Sequence, residues 1–116
     1  MKIKIVILAS FLLLFSQTPV LAADYYVDTA DLGGTGVDDN ECISSPALNN
    51  PCKTIMYVVN NAVLAGGDTV YIRGGTYTED LNITTADKGS AGNYVTFKSY
   101  ANDDVILTNG TVRYHQ

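Results

Sequence analysis

The sequence predicts an all-β domain of short strands behind an apolar leader, with one amphipathic helix. Three observations carry this. Apolar and polar residues alternate with period two through the second half of the chain, and the alternating runs are rich in β-branched and aromatic residues. Clusters of Gly, Asp, Asn and Ser, which favour turns, separate those runs. The chain has 116 residues, 47% of them apolar and 16% charged, with 10 Gly, 2 Cys and no Trp. That composition excludes a collagen, a coiled coil, a disordered tail and a disulfide-dense toxin.

The N-terminus reads as a signal peptide over residues 1–23. Lys2 and Lys4 form a positive start, Ile5 to Phe15 is an almost unbroken apolar run, and Gln17, Thr18 and Pro19 end it. Small or slender residues in Val20-Leu21-Ala22-Ala23 fit cleavage after Ala22 or Ala23. The competing reading is a membrane anchor, but the apolar run falls short of the roughly 20 residues a bilayer core requires. The expectation is therefore a secreted protein, extracellular or at the cell surface, with no membrane span in the mature chain. About 93 residues then remain to fold, enough for a single small domain.

Loss of Lys2 and Lys4 leaves 5 of the 7 basic residues against 12 acidic ones, a net charge of −7. A nucleic-acid partner needs a clustered basic face, and none is present. In an exported chain the two cysteines, Cys42 and Cys52, are expected to form a disulfide closing a loop of about eleven residues. A metal site would need further soft or imidazole ligands nearby, and the single histidine, His115, is far away in sequence. A free or intermolecular thiol is the remaining alternative.

The mature chain opens with a candidate strand, Tyr25-Tyr26-Val27, and residues 24–52 then become a loop rich in Gly, Asp, Asn, Ser and Pro, which the disulfide ties down. Residues 53–67 carry the one helical pattern. Thr54 is placed to cap the helix, and Ile55, Val58, Val59, Ala62 and Val63 fall on one stripe. Gly66-Gly67 stops the helix after about three turns. From residue 68 to 116 the period is two. Thr69–Arg73, Leu81–Thr84, Tyr94–Lys98 and Val105–Thr108 each read as a short strand. Two architectures suit them. Gly74-Gly75 between alternating runs fits a hairpin and an antiparallel sandwich, whereas strands pairing in parallel from coil to coil would form a solenoid.

The motifs favour the second. Tyr26-Val27-Asp28, Pro51-Cys52-Lys53-Thr54-Ile55, the run from Ala65-Gly66-Gly67-Asp68-Thr69-Val70 to Tyr77, and Gly89 to Tyr100 together resemble the N-terminal region of secreted proteins of the pectate-lyase-like superfamily. The resemblance covers Tyr25 to about Gly110. It implies a right-handed parallel β-helix, with a capping helix followed by about two coils and inward-facing Val70, Ile72, Leu81, Ile83, Val95, Phe97 and Ile106 or its neighbours. Because a solenoid needs about three stacked repeats to hold a shared core, the expectation is an incomplete solenoid, the front portion of a longer protein.

In the superfamily's lyases Ca²⁺ neutralises a uronate carboxylate while a Lys or Arg removes the α-proton. The resemblance places those residues in later coils, so no catalytic residue is assigned and this chain alone is expected to be inactive. The functional expectation is a polysaccharide lyase or hydrolase acting on polysaccharide. The alternative is a non-enzymatic surface protein or adhesin binding glycans or host molecules.

Among individual residues, Lys53, Arg73, Lys88 and Lys98 read as solvated surface charges. Asp28, Asp31, Asp38, Asp39, Asn40 and Glu41 offer the oxygen ligands that Ca²⁺ takes, without EF-hand spacing, so no metal site is assigned. Tyr71, Tyr77, Tyr94 and Tyr100, among 8 tyrosines, suit either sugar stacking or packing. Asn82-Ile83-Thr84 and Asn109-Gly110-Thr111 match the N-glycosylation sequon.

Overall fold

Alternation in Tyr25-Tyr26-Val27 sends one side chain of each neighbouring pair to opposite faces of a strand, and the first strand is built on it. The computed structural model describes residues 21–30, 33–108 and 113–114. Strand β1 (Asp24–Val27) buries Tyr25 and Val27, while Tyr26 faces outward and is half-buried. Strand β2 (Thr69–Ile72) repeats the pattern with Val70 and Ile72 inside and Tyr71 outside. The two pair in parallel, Tyr25 opposite Val70 and Tyr26 opposite Tyr71. On the other side of β2 lies β7 (Thr96–Ser99), again parallel, with Lys98 opposite Tyr71.

Between β1 and β2 run two short helices. α1 (Asn40–Ser44) starts at Asp39, whose carboxylate accepts the Glu41 and Cys42 amides, the usual work of an N-cap. α2 (Ile55–Asn61) starts at Thr54, whose hydroxyl accepts the Tyr57 amide at 3.2 Å. The helix buries Ile55, Val58 and Val59 against β1. It then ends a turn earlier than its apolar stripe implies. The Ala62 backbone is extended, with φ −78° and ψ 142°, which turns Val63 out to 91% exposure and Leu64 inward. Asn60 and Asn61 are poor helix formers, and the Asn61 side chain donates to the Tyr57 carbonyl at the closing turn.

Asp68 fastens the approach to β2. Its side chain is buried, and its two oxygens accept the Ala23 and Ala65 amides at 2.8 Å each. A segment ahead of β1 is thereby tied to the link between α2 and β2. Cys52 lies on the remaining edge of β1 through a parallel bridge to Val27. Its N–H donates to the Tyr26 carbonyl and its carbonyl accepts the Asp28 amide, both at 2.8 Å.

The second half is assembled from shorter pieces. β3 (Gly75–Tyr77) pairs in parallel with β8 (Val105–Leu107), β4 (Asn82–Ile83) with β9 (Arg113–Tyr114), and β5 (Gly89–Ser90) pairs antiparallel with β6 (Asn93–Tyr94). A 3₁₀ turn at Thr85–Asp87 is closed by a capping box between Thr84 and Asp87. Gly74-Gly75 makes a corner between two sheets, not a hairpin, because β2 and β3 have different partners. Gly75 sits at φ +145°, and the Thr29 methyl group occupies the place a Cβ would take.

This arrangement corrects the expected fold class. The described residues form no right-handed parallel β-helix and are not all-β. They comprise one three-stranded parallel sheet, three two-stranded sheets of which one is antiparallel, two α-helices and a 3₁₀ turn. The reason lies in the burial. A solenoid shares one apolar core among its coils, whereas here the core is concentrated on β1, α2, β2 and the cysteines. Val70, Ile72 and Leu81 are inside, but Ile83, Val95, Phe97 and Val105 are only half-buried, and Ile106 and Leu107 are 54% and 42% exposed. Strands of two to four residues do not extend that core further. No helix among the described residues is long and apolar enough to cross a membrane, and of the signal peptide expected over residues 1–23, residues 1–20 lie outside the described residues.

Candidate functional site

The residues with chemical potential gather where the outer face of the three-stranded sheet meets the first loop. Arg73 follows β2, and its amide donates to the Val27 carbonyl at 2.9 Å, carrying the β1–β2 ladder one residue onward. That register brings Arg73 beside Asp28. The guanidinium donates to the Asp28 carboxylate at 2.8 Å, with the arginine side chain 41% exposed and the aspartate only 6%. Arg73 is thus anchored at its buried end and open at the other, where the expectation was a solvated charge. A planar guanidinium carries five N–H donors in a fixed fork, so the open side remains able to bind a planar or hydroxylated partner.

Arg73 and Asp28 line a polar cleft of about 380 Å³, together with Gly34, Thr35, Gly74 and Asp103. Gly34 allows close approach of backbone, and Gly74 packs against the Asp103 side chain. The Gly74 amide donates to the Asp103 carboxylate at 3.1 Å, while Gly34 lies directly against the Thr29 carbonyl and the Asp28 carboxylate. Asp104 completes the far wall.

Beside the cleft stands a group of tyrosines. Tyr26 and Tyr71 stack, with ring centroids 5.4 Å apart and planes 13° from parallel. Tyr100 meets both edge-on at 6.1 Å, held by its amide on the Ile72 carbonyl. The Lys98 ammonium lies over the Tyr71 ring, 4.8 Å from its centroid, a distance typical of cation–π attraction. Burial, the Asp24 carboxylate and the neighbouring phenols push the Tyr26 hydroxyl above its ordinary pKa. Sequence reading picked out Tyr71 and Tyr100 but not Tyr26. The parallel register that joins them is a long-range property, and only the outward phase of Tyr26 in β1 was available as a signal.

The other tyrosines differ. Tyr94 is 60% exposed. Tyr77 is buried; its hydroxyl donates to the Arg73 carbonyl at 2.8 Å and accepts the Thr29 amide at 3.2 Å. Burial pushes its pKa up from 10.0 to about 12. Because the folded protein holds this proton more tightly than the unfolded chain, the associated stability is present below pH 10 and is lost as pH rises through 12. Spectrophotometric titration is expected to show one phenol ionising near pH 12 together with unfolding, and Tyr77→Phe is expected to flatten the stability profile between pH 10 and 12. An unchanged alkaline profile in that variant would contradict this assignment.

The described members of the acidic set that offers oxygen ligands of the Ca²⁺-binding kind serve separate partners. Asp28 faces Arg73. Asp38 accepts the Lys53 and Thr54 amides and the Thr54 hydroxyl at 2.8 to 2.9 Å. Asp39 caps α1, with Asn40 and Glu41 in its first turn, and Asp31 lies outside the described residues. Glu79, not singled out from sequence, accepts the Ile55 and Met56 amides at the start of α2. Among the described residues no three His, Cys, Asp or Glu side chains converge on a point that could hold a metal. Asp38, Asp39 and Glu79 instead accept backbone amides at or just before the helix starts, where the first N–H groups lack intrahelical partners.

Cys42 and Cys52 form a disulfide, with Cα atoms 5.2 Å apart and both residues fully buried. Lys53 and Lys88 are exposed. Asn82 is exposed on β4, with the Thr84 hydroxyl of its sequon bound to Asp87 at 2.7 Å. His115 and Asn109 lie outside the described residues.

No protein-family model matches the sequence, and no solved structure matches it. Over 88 residues, 76% of the chain, it is 34% identical to pectate lyase PEL9 of Emericella nidulans. Over 77 residues, 66% of the chain, it is 34% identical to the uncharacterized protein YwoF of Bacillus subtilis. These matches cover 19% and 15% of the two proteins, so the chain spans less than a fifth of the length of the curated relatives it matches. The chain is distantly similar to a pectate lyase over most of its length.

Proposed function

We propose that this chain is part of an exported protein that binds or acts on polysaccharide, and that it contacts the polymer through the Arg73 cleft and the tyrosines beside it. The observation that carries the reading is the anchored, half-open guanidinium at the mouth of a polar cleft. Sugar hydroxyls are recognised by planar donors and acceptors held in fixed positions, and Arg73, Asp103 and the Gly34–Thr35 backbone offer such groups side by side. The likeness to a pectate lyase supports polysaccharide as the ligand class. The buried disulfide supports an oxidising compartment outside the cell.

Electrophoresis of the whole chain through gels with and without dissolved pectate tests the proposal. Retardation by the polymer is expected, and Arg73→Gln is expected to weaken it about tenfold, equivalent to about 1.4 kcal/mol. Lys88→Ala, at an exposed position just after the 3₁₀ turn, serves as the control with unaltered retardation. Circular dichroism establishes that both variants fold. Unretarded wild-type protein, or full retardation of folded Arg73→Gln, would overturn the proposal.

A further inference from the structure

The Tyr26–Tyr71 stack has a chemical consequence independent of polysaccharide binding. Two phenols held face to face at 5.4 Å on adjacent paired strands are positioned to couple, since the ladder fixes their backbones opposite each other. Lys98 covers Tyr71 from β7, so the ring is held between the ammonium and Tyr26. Tyr100 presents an edge at 70° to Tyr26 and 82° to Tyr71, which brings fewer ring carbons into register. Both stacked rings reach solvent on the outer face, unlike buried Tyr25 and Tyr77.

We propose that Tyr26 and Tyr71 are an oxidative modification site, joined as an intramolecular dityrosine when the protein meets hydrogen peroxide and a haem peroxidase. Each phenol loses one electron and its hydroxyl proton, giving a phenoxyl radical with spin at the carbons ortho to oxygen. The two radicals form a C–C bond between ortho carbons. The hydrogens displaced from those carbons return to the two oxygens, which restores both aromatic rings. One peroxide accepts the two electrons and two protons and becomes two waters. The product ties β1 covalently to β2, a second staple alongside the disulfide that closes the first loop.

The test treats the whole folded chain, dilute enough to disfavour collisions between molecules, with horseradish peroxidase and hydrogen peroxide. The monomer is then isolated and digested for mass spectrometry. The expected result is blue dityrosine fluorescence in the monomer, a linked Tyr26–Tyr71 peptide pair lacking two hydrogens, and a raised melting temperature. Tyr26→Phe and Tyr71→Phe, which keep the rings and the packing, are each expected to cut monomer cross-linking at least tenfold. Tyr94→Phe is expected to leave it unaltered. Urea-unfolded protein is expected to lose the selectivity. Cross-linking that persists in folded Tyr71→Phe, maps to Tyr100, or occurs only in dimers would overturn the proposal, as would a folded monomer that gains no cross-link.

Discussion

Replacing Cys42 and Cys52 together by alanine is expected to lower the stability of the chain by about 2–4 kcal/mol. Several effects contribute. The disulfide restricts the unfolded chain by closing a loop between residues ten apart in sequence, worth roughly 3 kcal/mol in the chain-entropy account. Cys42 and Cys52 are 1% and 0% exposed and belong to the main apolar cluster, so their truncation also removes packed volume. The bridge further holds Cys52 against β1, where it makes two backbone hydrogen bonds of 2.8 Å to Tyr26 and Asp28. Without it that edge of β1 opens, and Asp28 and its arginine are freed to move. Urea unfolding of the double variant, and of the wild type with and without reductant, measures the effect. Matching midpoints for the variant and the oxidised wild type would contradict this account of the first loop.

Ile55→Ala is expected to cost about 2–4 kcal/mol, whereas Val63→Ala is expected to stay within about 0.5 kcal/mol. The periodicity of α2 assigns both residues to a single stripe. The structure separates them, since Ile55 is 0% exposed at the first turn and Val63 is 91% exposed after the helix has ended. Ile55 also borders the apolar hollow lined by Ile72, Leu81 and Phe97. Relaxation into that hollow keeps the cost below the upper limit seen for closed cores. Thermal or urea unfolding of the two variants side by side gives the comparison. Equal losses would mean that α2 continues through Val63 and packs as the bare stripe implies.

Local patterns made part of this structure legible. Alternation located the outward and inward sides of β1 and β2, the Thr54 hydroxyl marked the start of α2, and the cysteine pair is joined in the structure. α1 was hidden because its five residues sit in a segment rich in turn formers. Asp39 as cap and the buried Cys42 hold it there, and neither role shows in periodicity. The end of α2 was hidden because apolar spacing continues beyond the residue where the backbone turns extended. The overall architecture was misread for a related reason. Short alternating runs specify strands, but burial across neighbouring pieces decides whether they share one core, and here it thins from β2 toward β8. The candidate site was the least legible part. Arg73 and Asp28 are distant in sequence, as are Tyr26, Tyr71 and Tyr100, and only the parallel register unites them.

The most direct test of the functional account is a map of backbone amide shifts in the ¹⁵N-labelled chain titrated with oligogalacturonate. The account predicts changes clustered at Thr35, Arg73, Gly74, Tyr100 and Asp103, saturating together with one affinity, and small changes at Asn82 on β4 and at Lys88 just after the 3₁₀ turn. Shifts centred on Asn82 and Lys88, or an unaltered spectrum at saturating ligand, would contradict it.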